Sequence, residues 1–154
     1  PQRLRDVSLS IRIPQVPKAR RFICRLCTPV FGDIIKASRD PKSKGYFIHR
    51  EGCSALADGA EVHEAEWISD IDPKLFMLRA TISVSALVCH GLSNSIISVF
   101  DNKNVLIYSY QFTNDYAKNV TNIRIEVGAA SVDELEMLMD EIRSIDSVVT
   151  VDRA

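Results

Sequence analysis

The chain has 154 residues, 46% of them apolar and 25% charged, and its 19 Lys+Arg against 20 Asp+Glu leave a formal net charge of −1. This is the composition of a folded globular protein and excludes global disorder; the length allows one ordinary domain or two small ones. There is no run of eighteen apolar residues to form a membrane span, and the N-terminal Pro1-Gln2-Arg3-Leu4-Arg5 lacks the apolar stretch of a secretory signal. The expectation is a cytoplasmic protein without a membrane partner and, in the absence of an initiator Met, a segment of a longer one.

The near-neutral total is unevenly spread. Residues 1–53 carry 12 Lys+Arg against four Asp+Glu, a balance of +8, which leaves −9 for residues 54–154. Halves of opposite sign predict two modules, the first facing a polyanion.

In chain order, residues 1–20 hold alternating Leu9, Ile11 and Ile13, then Pro14 and Pro17, which predict a short strand running into a linker. Residues 21–72 form a first module. Its apolar residues are few up to Cys53, and turn residues recur at Pro29, Gly32-Asp33, Asp40-Pro41 and Gly45. Ile34-Ile35 and Tyr46-Phe47-Ile48 predict hairpin strands joined by a basic loop, with Phe47 in the hairpin core. A core this thin needs a staple. Trp67 and Ile68 are the expected apolar anchors at its end, His63 is expected at the surface, and Ile71-Asp72-Pro73 marks a boundary.

Residues 73–154 read as the second module. Ala80, Ile82, Val84 and Ala86 alternate with polar residues, the period of a half-buried strand. Leu92, Ile96, Val99 and Phe100 follow at helical spacing, Val105 to Phe112 is β-branched and aromatic, and Asn114-Asp115 predicts a turn. Ile123, Ile125 and Val127 alternate again. Ser131 with Glu134 makes a capping box ahead of the stripe Leu135, Leu138, Met139, Ile142 and Ile145, and a strand at 148–151 closes the module. The order β-α-β-β-α-β predicts a ferredoxin-like α+β fold, with two helices on one face of a four-stranded sheet.

Four residues of metal-ligand type gather in the first module: Cys24 and Cys27 as a C-x-x-C pair, His49 and Cys53 as an H-x-x-x-C pair. Zn²⁺ takes four soft or borderline ligands in a tetrahedron, and each short spacing lets one turn supply two of them. Three thiolates and one imidazole would close the coordination shell, which favours a structural ion over a catalytic one. A Cys24–Cys27 disulfide or redox pair is the alternative reading. Arg20, Arg21, Arg25, Arg39, Lys42, Lys44 and Arg50 surround these ligands and are candidates for RNA phosphate contacts. Cys89 and His90 are sequence neighbours with no orienting third group, so they read as loop residues, and no catalytic constellation is evident.

The run from Cys27 to Asp33 (Cys-Thr-Pro-Val-Phe-Gly-Asp) and that from Gly45 to Cys53 (Gly-Tyr-Phe-Ile-His-Arg-Glu-Gly-Cys) resemble the C-terminal zinc-finger module of RelA/SpoT-type (p)ppGpp synthetase/hydrolases. That module carries a Trp-bearing strand, matched here by Trp67, and is followed by an ACT domain. Leu26 stands where that family has the first of two adjacent cysteines, and Cys24 lies two positions earlier; Phe31 replaces the second Pro of the motif. The resemblance implies a zinc-stapled, β-rich module followed by a ferredoxin-like βαββαβ ACT domain, with Cys27, His49 and Cys53 as ligands and Cys24 added on chemical grounds. It implies a non-catalytic regulatory segment that docks on the ribosome and its RNA, controls N-terminal enzymatic domains and forms a homodimer through the ACT domain. ACT domains often bind an amino-acid effector where the first strand meets the first helix. Gly91, Leu92 and Asn104 match that motif, whereas Val88 replaces its acidic residue. The other function implied is an ACT-type amino-acid sensor with purely structural zinc.

Overall fold

The computed structural model describes residues 10–56, 61–68 and 78–154. Leu9 and the boundary at Ile71-Asp72-Pro73 lie outside them. The chain divides into two compact units, Pro1–Leu78 with Ala130–Val132, and Arg79–Ala129 with Asp133–Ala154.

The first unit contains β1 (Ile11–Arg12), β2 (Arg21–Ile23), β3 (Ile35–Arg39), β4 (Tyr46–Arg50), β5 (Val62–Glu64) and β6 (Glu66–Trp67). β2, β4, β3 and β5 lie side by side in one sheet, while β1 pairs with β6. The expected hairpin is β3–β4, with Ser38 opposite Phe47 and Lys36 opposite His49. β2 is an addition to it: it runs parallel to β4, with Phe22 opposite Phe47 and Ile23 opposite Ile48.

Side chains alternate across a strand, so Ile35, Ala37, Tyr46 and Ile48 point to one face, where they pack with Ile11 and Ile13. That alternation corrects one expectation. Tyr46 is the buried aromatic, and Phe47 is turned to the opposite face, 37% exposed. Trp67 does anchor the unit: it packs on the core, its ring centroid lies 5.6 Å from that of Phe31, and its Nε1–H donates to the Asp33 carbonyl at 2.9 Å. His63 is at the surface, partly buried. It sits on β5 opposite Ala37, hydrogen-bonded to Gln15 and, at 2.9 Å, to Glu61. Its ring lies edge-on to Tyr46. The hydrogen bond to His63 is the main reason the Glu61 carboxyl is held below the usual range.

The second unit runs β7 (Leu78–Leu87), α1 (Leu92–Asn102), β8 (Ile107–Asp115), β9 (Val120–Ala129), α2 (Val132–Arg143) and β10 (Val148–Arg153). This is the expected order, and the strands lie β10-β7-β9-β8. Ala80, Ile82, Val84 and Ala86 from β7, and Ile123, Ile125 and Val127 from β9, are all buried. So are the helix stripes Leu92, Ile96 and Phe100 of α1 and Leu135, Leu138, Met139 and Ile142 of α2. One face of the sheet and one stripe of each helix therefore make the core. Asp133 and Glu134 in the first turn of α2 and Arg143 in its last complement the helix dipole. The turn expected at Asn114-Asp115 lies one step later, at residues 116–119. Asn114 and Asp115 still pair with Thr121 and Val120, and Asn119 takes the left-handed conformation (φ 56°) that an Asn tolerates. Among the described residues no helix is long and apolar enough to cross a membrane.

Ile82 is fully buried and its neighbour Ser83 exposed. Ile82→Ala should lower the unfolding free energy by about 3 kcal/mol, and Ser83→Ala should change it by less than about 0.5 kcal/mol, as read from urea titrations.

Candidate metal centre

The ligand-type residues are delivered by strand ends. β2 stops at Ile23, and the next amide, that of Cys24, donates to the Ile48 carbonyl at 2.9 Å, which extends the parallel pairing with β4 by one residue. The chain then turns, closed by the Thr28 amide on the Cys24 carbonyl at 3.1 Å, and brings Cys27 back. His49 lies on β4. The Glu51-Gly52 turn after that strand returns Cys53, whose amide donates to the Arg50 carbonyl at 3.1 Å. One ligand atom each from Cys24, Cys27, His49 and Cys53 lies within 4.8 Å of all the others. All four predicted ligands are thus brought together. Cys24, Cys27 and His49 are buried, and Cys53 is half-buried.

The surroundings fit a metal ion. His49 Nε2 is bonded to Ser38 Oγ at 2.8 Å, while its buried Nδ1 has no hydrogen-bond partner. An imidazole nitrogen buried without a partner is costly. It is the arrangement expected where one ring nitrogen meets a metal and the other is oriented by a neighbouring polar group. Backbone amides point at two of the sulfurs, Arg50 N–H to Cys27 Sγ at 3.2 Å and Ala55 N–H to Cys53 Sγ at 3.4 Å. All four cysteines of the chain are free thiols, so the Cys24–Cys27 disulfide is not formed.

Without an ion the thiols are unequally poised. Burial pushes Cys27 up to about 12. Burial also works against the Cys24 thiolate, but hydrogen bonds from the amides of Cys27 and Leu26 and from the thiols of Cys27 and Cys53 outweigh it and hold Cys24 below its ordinary value. Burial lowers His49, favouring the neutral imidazole that ligates. A divalent cation would stabilise every one of these groups in its ligating form.

The predicted phosphate-contact residues fall into two sets. Arg20, Arg25, Arg39, Lys42 and Lys44 are exposed, although Arg39 faces Glu61 at 3.5 Å. Lys42 and Lys44 ride on a loop organised by Asp40, which accepts from the Lys42 amide at 3.1 Å and the Ser43 hydroxyl at 2.6 Å. Arg50 and Arg21 are half-buried and turned inward. Arg50 Nε donates to the Cys27 carbonyl at 2.7 Å and so braces the ligand turn; Arg21 donates to the Pro17 carbonyl at 2.8 Å. Sequence reasoning missed Lys18, which borders a concavity of about 530 Å³ with Arg39 and Lys44, floored by Val16 and Tyr46. Its setting just after Pro14 and Pro17 hid it in an apparent linker.

In the second unit Gly91 precedes α1 with φ 81°, a left-handed conformation that Gly adopts without strain. Gly91 and Leu92 border a concavity of about 370 Å³ that also takes in Val88, His90, Asn94 and Asn114. No carboxylate lines it, and Asn104 is not part of its wall. Cys89 and His90 are exposed neighbours in the loop.

Ser38→Ala removes the partner of a buried imidazole nitrogen and should cost about 1–3 kcal/mol of stability, measured by thermal melting of the metal-free chain. In the same metal-free chain at pH 8, iodoacetamide should modify exposed Cys89 well before buried, protonated Cys27, with peptide mass spectrometry resolving the order. The reverse order would contradict the burial of the ligand cluster.

Residues 77–153 match the family model described as ACT domain. Among solved structures the chain is similar to the ACT domain of a GTP pyrophosphokinase from Chlorobium tepidum. The crystal structure of that domain shows 22% identity over 49% of this chain and 96% of that one, with a TM-score of 0.45. Its solution structure shows 22% identity over 49% and 84%, with a TM-score of 0.44. The C-terminal domain of MgtC from Mycobacterium tuberculosis shows 11% identity over 51% and 86%, with a TM-score of 0.42. No curated protein matches the chain. With the βαββαβ order and its single buried sheet face established, the family match over half the sequence identifies the second unit: the chain belongs to the ACT domain family.

Proposed function

We propose that this chain is a regulatory, non-catalytic segment of a RelA/SpoT-like stringent-response (p)ppGpp synthetase/hydrolase. In this reading Cys24, Cys27, His49 and Cys53 hold Zn²⁺, and the ion stiffens a basic module that docks on ribosomal RNA. The ACT domain connects that event to the N-terminal enzymatic domains of the parent protein. The observation that carries the reading is the gathering of one ligand atom each from Cys24, Cys27, His49 and Cys53 within 4.8 Å of one another, beside a buried His49 Nδ1 with no hydrogen-bond partner, in a module whose sequence resembles the zinc finger of that family. The bound ion would supply charge compensation for thiolates and a cross-link between two turns. Four protein ligands leave no open position for a substrate. Exposed Arg20, Arg25, Arg39, Lys42 and Lys44 supply the phosphate contacts.

The concavity beside Gly91 favours a second reading, an ACT-type sensor that binds a small effector and pairs with a second copy of the chain. Its wall has no carboxylate to meet an amino-acid ammonium group, which ranks this reading second. Thermal stabilisation by a millimolar amino acid, without RNA affinity, would favour it.

Two measurements test the first reading. Metal analysis should find about one zinc per chain, and His49→Ala or Cys27→Ser should abolish it while Cys89→Ser keeps it; zinc well below one equivalent sinks the metal assignment. RNA affinity should fall steeply with salt, and the double variant Lys42→Gln/Lys44→Gln should reduce the slope of log K against log salt by about 1.5. Absence of salt-dependent binding to ribosomal RNA removes the docking role.

A further inference from the structure

The face of the first unit's sheet opposite the core carries Ser38 and His49 and, beside them, an aromatic pair. On it Phe22 of β2 and Phe47 of β4 stand side by side in register, ring centroids 5.8 Å apart and tilted by 49°. The Arg20 guanidinium lies 5.5 Å from the Phe22 centroid. Phe47 is also 6.3 Å from the His49 ring, next to the ligand cluster. Val62, 45% exposed, continues the apolar band across β3, opposite Ser38. Gly45 is part of the construction. A Cβ there would sit 2.5 Å from Phe22 Cε2 and 3.2 Å from the Arg20 carbonyl, so only Gly lets the Phe22 ring settle at this height.

A half-exposed Phe pair is unfavourable in water unless something covers it. The chemistry of the rim says what. Arg20 lies over the Phe22 ring, and exposed Lys42 is on the loop that leads into β4. Glu64, a carboxylate on this face, is ion-paired with Lys36. Aromatic rings bordered by cations match an unpaired nucleobase flanked by its phosphates: base stacking is sequence-tolerant, and a duplex does not expose its base faces. A protein partner with an apolar patch would not need the cations.

We propose that the Phe22–Phe47 pair is a stacking platform for an unpaired base, so that this module engages single-stranded or looped RNA rather than duplex. The proposal rests on the RNA-docking reading and specifies its target. Arg20 and Lys42 hold the flanking phosphates, and the base lies on the Phe47 ring.

The test uses the full, zinc-loaded chain, a fluorescent single-stranded RNA decamer carrying one 2-aminopurine, and the same strand annealed to its complement. The wild-type chain should prefer the single strand and quench the 2-aminopurine. Phe47→Leu keeps apolar cover but removes the ring; it should weaken single-strand binding about tenfold and abolish the quench, with the salt slope and duplex affinity unchanged. Phe47→Trp, with a larger ring, should bind the single strand at least as tightly as wild type, which guards against misreading a folding defect in the Leu variant. Salt-dependent binding that Phe47→Leu leaves intact, or weakens equally for both RNAs, overturns the platform while sparing the docking reading. Loss of self-association in Phe47→Leu with RNA affinity unchanged assigns the face to a second copy of the chain and also overturns it. No salt-dependent binding by the wild-type chain removes both.

Discussion

The parallel pairing of β2 with β4 is the constraint on which the first unit depends. Three residues of β2 meet β4 in fixed register, Arg21 to Tyr46, Phe22 to Phe47 and Ile23 to Ile48. The next step of that register sets Cys24 beside His49, with the Cys24 amide on the Ile48 carbonyl. The same register brings Phe22 and Phe47 together on the outer face. A slip of one residue would turn every side chain of β2 over. It would part Cys24 from His49 and bury the wrong residues. One short ladder therefore builds both the ligand cluster and the aromatic pair beside it.

So short a ladder is weak by itself. Isolated strands of two to five residues do not hold together in water, and the apolar cluster behind this sheet is small, built on Ile11, Ile13, Ile35, Ala37, Tyr46 and Ile48. The surrounding polar groups reinforce it where the core cannot. Arg50 spans from β4 to the Cys27 carbonyl, the Trp67 indole reaches the Asp33 carbonyl, and Ser38 orients the His49 ring. Two of these contacts, from Arg50 and Ser38, reach the ligand residues. A zinc ion held there would contribute on the order of 10 kcal/mol, more than the whole of many small cores, and would couple metal binding to the folding of this unit.

The ACT unit is held by a different balance. Its ten-residue strands β7 and β9 and two amphipathic helices bury a continuous layer of Ile, Val, Leu and Phe, and fully burying each such side chain is worth about 1.5–3 kcal/mol. It needs no ion. Residues 79–154 carry 10 Asp+Glu against 6 Lys+Arg, and the loop before α1 opens a concavity that no carboxylate lines. One chain thus joins a thin-cored module built around a Cys/His cluster to an ACT unit whose own core is sufficient.

The amino-acid sequence by itself determined the ACT unit and the membership of the ligand cluster. Long elements repeat their apolar pattern enough times to show a period, which is why β7, β9, α1 and α2 were legible from Ala80, Ile82, Ile123, Leu92 and Leu135, and short C-x-x-C and H-x-x-x-C spacings bring ligands together through local turns. Tertiary structure alone decided the rest. β2 and β5 are only three residues long, too short to show a period, and a parallel partner some 25 residues away leaves no local trace. Tyr46 and Phe47 are adjacent aromatics that composition treats alike; only the register of β4 against β3 sends one to the core and the other to solvent. Arg50 and Arg20 look equally basic in sequence, yet one braces a ligand turn and the other stacks on a ring. Which face a side chain takes, and what it meets there, is set by pairings between distant segments.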